Sequence, residues 1–134
     1  MSWNAKIRSA RLTLINALVI DPSSDRIARG GVLADGGLII ACGADVTAAN
    51  AGTDAHIIDC KGLHVSPGLI DMRAFIGEPG ASHRETIASV SAAAVAGGVT
   101  SLLATPETSP PVDGSATVDY IMRRARDNAR VRIN

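Results

Sequence analysis

The chain has 134 residues, 46% apolar and 2% aromatic, with thirteen basic and thirteen acidic side chains giving a formal net charge of zero. That length suffices for an ordinary domain with its own core, while zero net charge and single copies of Trp3, Phe75 and Tyr120 argue against nucleic acid or an anionic membrane as a partner. Two cysteines without a C-x-x-C pair exclude a disulfide framework, and no stretch approaches the ~20 apolar residues that would span a bilayer.

The opening Met1-Ser2-Trp3-Asn4-Ala5-Lys6 lacks the apolar core of a secretory signal, so a cytoplasmic setting is expected. From Arg11 to about Cys60, short apolar runs alternate with turn residues. Leu12–Ile15, Ala17–Ile20, Gly31–Ala34, Leu38–Ala41 and His56–Asp59 read as strands. Asp21-Pro22-Ser23-Ser24 and Asp35-Gly36-Gly37 read as turns, the second a hairpin because glycine tolerates positive φ. Residues 1–64 are therefore expected to form a β-rich module whose core is Val, Ile, Leu and Ala. Cys42 and Cys60 fall in such runs, which predicts buried, reduced thiols. Activation of Cys60 by Lys61 is disfavoured, because adjacent strand residues face opposite ways.

After about Val65 the texture changes to alternating strand and helix, the sign of a parallel α/β arrangement over residues 65–134. Val65 to Ala74 reads as the first strand. Ser82-x-x-Glu85 predicts a capping box for a helix running through Ala88, Val90, Ala92, Ala93 and Val95 to a stop at Gly97-Gly98. Val99 to Ala104 reads as the second strand. Val118, Ile121, Met122 and Ala125 recur on one helix face and predict a helix from about Ser115 to Asn128. Val131 to Asn134 opens a third strand. The basic run Arg123-Arg124-Ala125-Arg126, with Arg130 and Arg132 beyond it, reads as a solvated helix face.

The histidines His56, His64 and His83 match no short ligand motif. His83, near Glu78 and Glu85, is the best metal candidate among them, although an exposed residue at a helix start is its ordinary role. No nucleophile elbow or phosphate-binding loop is present.

Two segments carry more. Pro67-Gly68-Leu69-Ile70-Asp71-Met72-Arg73-Ala74-Phe75-Ile76-Gly77-Glu78-Pro79-Gly80 resembles the P-G-L-I-D-x-H-x-H-x-R-E-P-G signature of the dihydroorotase branch of the amidohydrolase superfamily. Gly97-Gly98-Val99-Thr100-Ser101-Leu102-Leu103-Ala104-Thr105-Pro106-Glu107-Thr108-Ser109-Pro110 resembles its G-G-V-T-T…M-P-N-T-x-P segment. The resemblance runs from about Arg11 to Asn134 and corresponds to the first third or so of a typical dihydroorotase. It implies part of an N-terminal β-sandwich followed by the first β-α-β-α-β portion of a TIM-type (β/α)8 barrel, truncated, because a complete barrel takes about 200–250 residues or more.

The resemblance also implies a zinc enzyme, and its departures imply that this chain has lost the site. Arg73 and Phe75 stand where two metal-binding histidines belong. Gly77 stands where a substrate-binding arginine belongs, and Glu107 where an asparagine helps hold the substrate carboxylate. A zinc ligand must offer a lone pair from imidazole, thiolate or carboxylate, and neither guanidinium nor phenyl does. Asp71 survives in a position suited to orienting a ligand or backbone groups, and the ordinary reading of Arg73 and Phe75 is an ion pair and a space-filling ring. No catalytic residue and no metal are therefore expected in this chain.

Three readings stay open at this stage. The leading one is a non-catalytic dihydroorotase homologue with an assembly role in pyrimidine biosynthesis, whose partner is the remainder of the barrel or another subunit. The resemblance suggests aspartate transcarbamoylase, and an oligomer. The second is an active cyclic amidohydrolase whose metal ligands lie beyond Asn134. The third is a small free-standing binding module. The partial strand at Val131–Asn134 favours a piece of a longer fold over a complete one.

Overall fold

The computed structural model describes residues 11–134, which fall into two compact units dividing between Pro67 and Gly68. Trp3 and the Met1–Lys6 segment lie outside the described residues.

The first unit is one sheet built around β1 (Leu12–Asp21). On one side β1 pairs antiparallel with β2 (Arg26–Asp35), which pairs with β3 (Leu38–Gly43). On the other side β1 pairs parallel with β4 (His56–Asp59) and then with β5 (His64–Val65). The two runs expected as separate strands are thus one strand with a bulge, since the register shifts between Leu14 and Ala17. Asn16 sits there at φ 54°, a conformation asparagine tolerates better than most residues. Strict alternation would put Leu14 and Ala17 on opposite faces. With the bulge, Leu14 packs against the buried trio Ala17, Val19 and Cys60.

The turns follow their local chemistry. The Asp21 carboxylate accepts from the Ser23 amide at 3.0 Å and from the Ser23 and Ser24 hydroxyls, each at 2.6 Å. Gly36 and Gly37 both take positive φ, 57° and 82°, as a two-residue hairpin requires. One expectation fails here. Cys42 is exposed, because β3 is the outermost strand of the order β3-β2-β1-β4 and is open to solvent on both faces; Cys60 is buried as expected.

The second unit runs β6 (Leu69–Ala74), α1 (Ile87–Ala96), β7 (Val99–Ala104), α2 (Ser115–Asn128) and β8 (Arg132–Ile133). Its three strands are parallel in the order β6-β7-β8, which makes this an α/β fold. Each helix connects neighbouring strands and buries one stripe. Ala74, Ile76, Ile87, Leu102, Ile121, Ala125 and Ile133 form the core, so the helical spacing of Ile121 and Ala125 predicts the buried face of α2. Met122 and Val118 stay nearly half exposed, lining a shallow apolar hollow with Leu103, Ala104, Pro106 and Val112. Ser91, fully buried, donates to the Ala88 carbonyl and accepts the Arg130 amide at 3.1 Å, tying α1 to the approach of β8.

Two boundaries differ from the sequence reading. Val65 does not open the first α/β strand; it pairs with Val19 of β1, and β6 begins at Leu69. The Ser82–Glu85 capping box does not form. The amides of Arg84 and Glu85 bond to the Ala81 carbonyl in a turn, and α1 is capped instead by Thr86, whose hydroxyl accepts from the Ser89 amide at 3.1 Å while Ser89 Oγ accepts the Thr86 amide at 3.0 Å. Serine at the third helical position replaces the glutamate of the usual box.

In the first unit the Asp59 carboxylate accepts from the Lys61 amide at 2.9 Å and from Asn16 Nδ2 at 3.1 Å. These bonds, the Lys61 amide first, hold its pKa below the ordinary value. A depressed folded-state pKa stabilises fully above the unfolded value of about 3.9 and is lost as pH falls through the folded value. Asp59→Asn is therefore expected to lower the melting temperature at pH 7, with the difference from wild type shrinking as the buffer is taken below pH about 4; calorimetry across that range checks it.

Candidate functional site

The carboxyl ends of β6 and β7 carry the chemistry-bearing positions of both motifs. They lie side by side because the loops beyond the strands are bonded together. The Thr105 amide donates to the Ala74 carbonyl at 3.0 Å, and the Ser109 amide donates to the Pro79 carbonyl at 3.0 Å. That pairing sets Glu107, in the loop after β7, beside Arg73 at the end of β6.

Arg73 Nη2 stands 3.6 Å from Glu107 Oε1, with the side chains 82% and 63% exposed. At that exposure the pair contributes about 0–1 kcal/mol, so its importance is chemical and not energetic. The Arg73 amide donates to Asp71 Oδ1 at 2.9 Å, which places Asp71 in the same small group. Phe75, half-buried, lies under the Arg84 guanidinium, 4.9 Å from the ring centroid, a cation–π distance. Gly77 is buried at φ 70°. A Cβ there would meet the Glu85 carbonyl oxygen at 1.9 Å, so the turn after β6 has closed over the place where a side chain would emerge.

Glu78 is the anchor of the loop. Its side chain is 8% exposed; Oε1 accepts from Arg124 Nη2 at 2.9 Å and Oε2 accepts from the Ile87 amide at 3.3 Å. One carboxylate thus satisfies the first amide of α1 and a cation from α2. Glu78, by its hydrogen bond and charge, raises the Arg124 pKa. The solvated reading of the basic run fails at this residue. Arg124 is half-buried against Glu78 while Arg123 and Arg126 are exposed; its three-residue spacing from Ile121, on one face of α2, is the hint of it in the sequence.

Of the positions singled out from sequence, Arg73, Glu107 and Asp71 come together, whereas Phe75 and Gly77 are each engaged by the 81–86 turn. His83 does not gather a metal site: it is exposed, Glu78 is committed to Arg124 and Ile87, and Glu85 accepts from the Thr86 amide. Among the described residues no group of three or more His, Cys, Asp or Glu side chains is placed to hold a metal ion. Arg84 was not legible as a partner of Phe75, because a cation–π contact across a turn leaves no periodic signal. A concavity of about 840 Å³ lies in the first unit between the β1 bulge and the Ala44–Ala48 segment, and none of the motif positions lines it.

The profile of the Dihydro-orotase-like family matches residues 62–134. A dihydroorotase of Ehrlichia chaffeensis is 38% identical over 137 residues, covering 98% of this chain and 31% of that protein. A dihydroorotase of Citrifermentans bemidjiense is 43% identical over 115 residues, covering 86% of this chain and 26% of that protein. In structure the chain is similar to the L-hydantoinase (dihydropyrimidinase) of Arthrobacter aurescens, with a TM-score of 0.74 and 25% identity over 91% of this chain and 26% of the other. The chain therefore spans under a third of the length of the relatives it matches. Among the described residues no helix is long and apolar enough to cross a membrane.

Two substitutions probe the loop after β6. Glu78→Ala strands the Ile87 amide and one face of Arg124 and is expected to cost about 2 kcal/mol, against ~0.5 kcal/mol or less for the exposed Arg123→Ala, as read by urea unfolding. Gly77→Ala forces a Cβ onto backbone at a positive φ and should cost more than about 1 kcal/mol, read by the same transition midpoints.

Proposed function

The chain belongs to the dihydroorotase-like family, and on that premise we propose that it is a cyclic-amidohydrolase homologue that has lost its first-strand metal site and acts in assembly instead of catalysis. The observation that carries this reading is the Arg73–Glu107 ion pair at the ends of β6 and β7. The family implies zinc, which takes neutral imidazole, thiolate or carboxylate donors. Arg73 is cationic at any working pH and has no lone pair to give, and Phe75 offers only a ring already covered by Arg84. The residues at these two positions do not fit the metal.

The substrate side of the same loop supports the reading. Gly77 brings no side chain to the position that the resemblance gives to an arginine, and Glu107 brings a negative charge to the position of an asparagine. Unlike an amide, the Glu107 carboxylate has no N–H to donate to a ring carboxylate, and whatever charge Arg73 leaves on it repels one, by up to ~1 kcal/mol in water at about 4 Å. Asp71 keeps a structural role, accepting the Arg73 amide.

The assembly side of the proposal rests on exposed apolar strand residues. On β6, Leu69, Ile70 and Met72 are 60%, 69% and 75% exposed, although parallel strands are ordinarily covered on both faces. The second unit is read as the opening β-α-β-α-β of a TIM-type barrel and the first unit as part of a β-sandwich. The remainder of the barrel, or another subunit, is the covering partner, with aspartate transcarbamoylase as the partner enzyme in pyrimidine biosynthesis.

The test uses the full-length natural gene product. Its metal content is measured by mass spectrometry, dihydroorotate hydrolysis is assayed alone and with aspartate transcarbamoylase, and the mixture is sedimented. The expected result is no turnover above background and a co-sedimenting complex. Stoichiometric zinc with steady turnover would instead identify an active cyclic amidohydrolase whose ligands come from other strands.

A further inference from the structure

Glu107 is a carboxylate at the exposed end of a parallel sheet, and its only ion-pair partner among the described residues is the Arg73 guanidinium, 3.6 Å away. Neither side chain is enclosed, so the pair is not held by packing. A guanidinium cannot be titrated away, and it brings charge to the carboxylate while having no lone pair to offer a metal. Phe75, two positions on from Arg73, is held by Arg84 and not by Glu107. Side chains two apart on an extended segment share a face.

We propose that the Arg73 guanidinium is an internal stand-in for a cation: it neutralises Glu107 and is what keeps a divalent ion off the ends of β6 and β7. The inference rests on the reading of positions 73 and 75 as a lost metal site, and deepens it by naming the present occupant. The exposure of the pair identifies the mechanism as charge and not strength. A divalent ion approaching Glu107 meets a fixed like charge well within a Debye length of about 8–10 Å. Replacing that charge with imidazole would leave Glu107 free to coordinate, and imidazoles at 73 and 75 would join it as a set of three donors of the kinds zinc accepts.

The experiment titrates the 134-residue chain with Zn²⁺ calorimetrically and with Co²⁺ by ligand-field absorption, comparing wild type, Arg73→His/Phe75→His, and the double variant carrying Glu107→Gln. The double variant is expected to bind Zn²⁺ about 100-fold or more tighter than wild type, with a Co²⁺ absorption that wild type lacks, and Glu107→Gln should abolish most of the gain. If the double variant loses its cooperative melt, Arg73→His alone carries the test, with a gain of about tenfold expected from one freed carboxylate and one imidazole. A folded variant that gains nothing, while wild type also fails to bind, overturns the stand-in and leaves the lost-site reading intact. Wild type binding Zn²⁺ as tightly as the double variant overturns both.

Discussion

The second unit depends on one buried carboxylate. Glu78 leaves β6 by four residues and is held by two groups that belong to different helices, the Ile87 amide at the start of α1 and the Arg124 guanidinium of α2. A buried carboxylate without such partners would be costly to desolvate. Satisfying it fixes where α1 begins, how α2 is rotated and where the loop after β6 turns. The turn at Gly77, the placement of Phe75 under Arg84 and the approach of the 105–109 loop all follow from that anchored segment. The anchored carboxylate is buried, whereas Arg73 and Glu107 beyond it stand exposed.

Likeness to dihydroorotases and hydantoinases establishes family and α/β architecture. The geometry of Arg73, Glu107, Phe75 and Gly77 shows how this chain fills the ends of β6 and β7. In each case the side chain finds its partner locally: guanidinium with carboxylate, guanidinium with ring, glycine with a carbonyl that blocks any substituent.

Much of the fold was legible because its signals are local. The β7 run Val99–Ala104 and the α2 face of Ile121 and Ala125 are set by period, and the Gly36-Gly37 turn by backbone freedom. The misses share a cause, which is that the deciding partner is distant in sequence. Val65 reads as the start of a strand in either sheet, and only its pairing with Val19 assigns it to the first. Ser82 and Glu85 have the right spacing for a cap, but their segment turns back on the Ala81 carbonyl, Thr86 caps the helix, and Glu78, nine residues before Ile87, takes the Ile87 amide. Arg124 sits in a basic run that looks solvated until the carboxylate it serves is located. At the site, the residue types at 73, 75, 77 and 107 could be read directly, whereas the Arg84–Phe75 contact and the closure over Gly77 required the backbone.

The position of β1 has a consequence for how the chain is made. It takes β2 on one side through a short connection, and among the described residues its other side is completed by His56–Asp59 and His64–Val65. During synthesis from the amino terminus, the β1–β2–β3 meander can form as soon as it leaves the ribosome, with the far edge of β1 open until residue 65 has emerged. The short parallel pairs that close it are the last contacts of the first unit and directly precede the first strand of the second. The interval in which that strand edge is unprotected therefore ends where the α/β segment begins, so the order of translation itself limits the time available for mispairing.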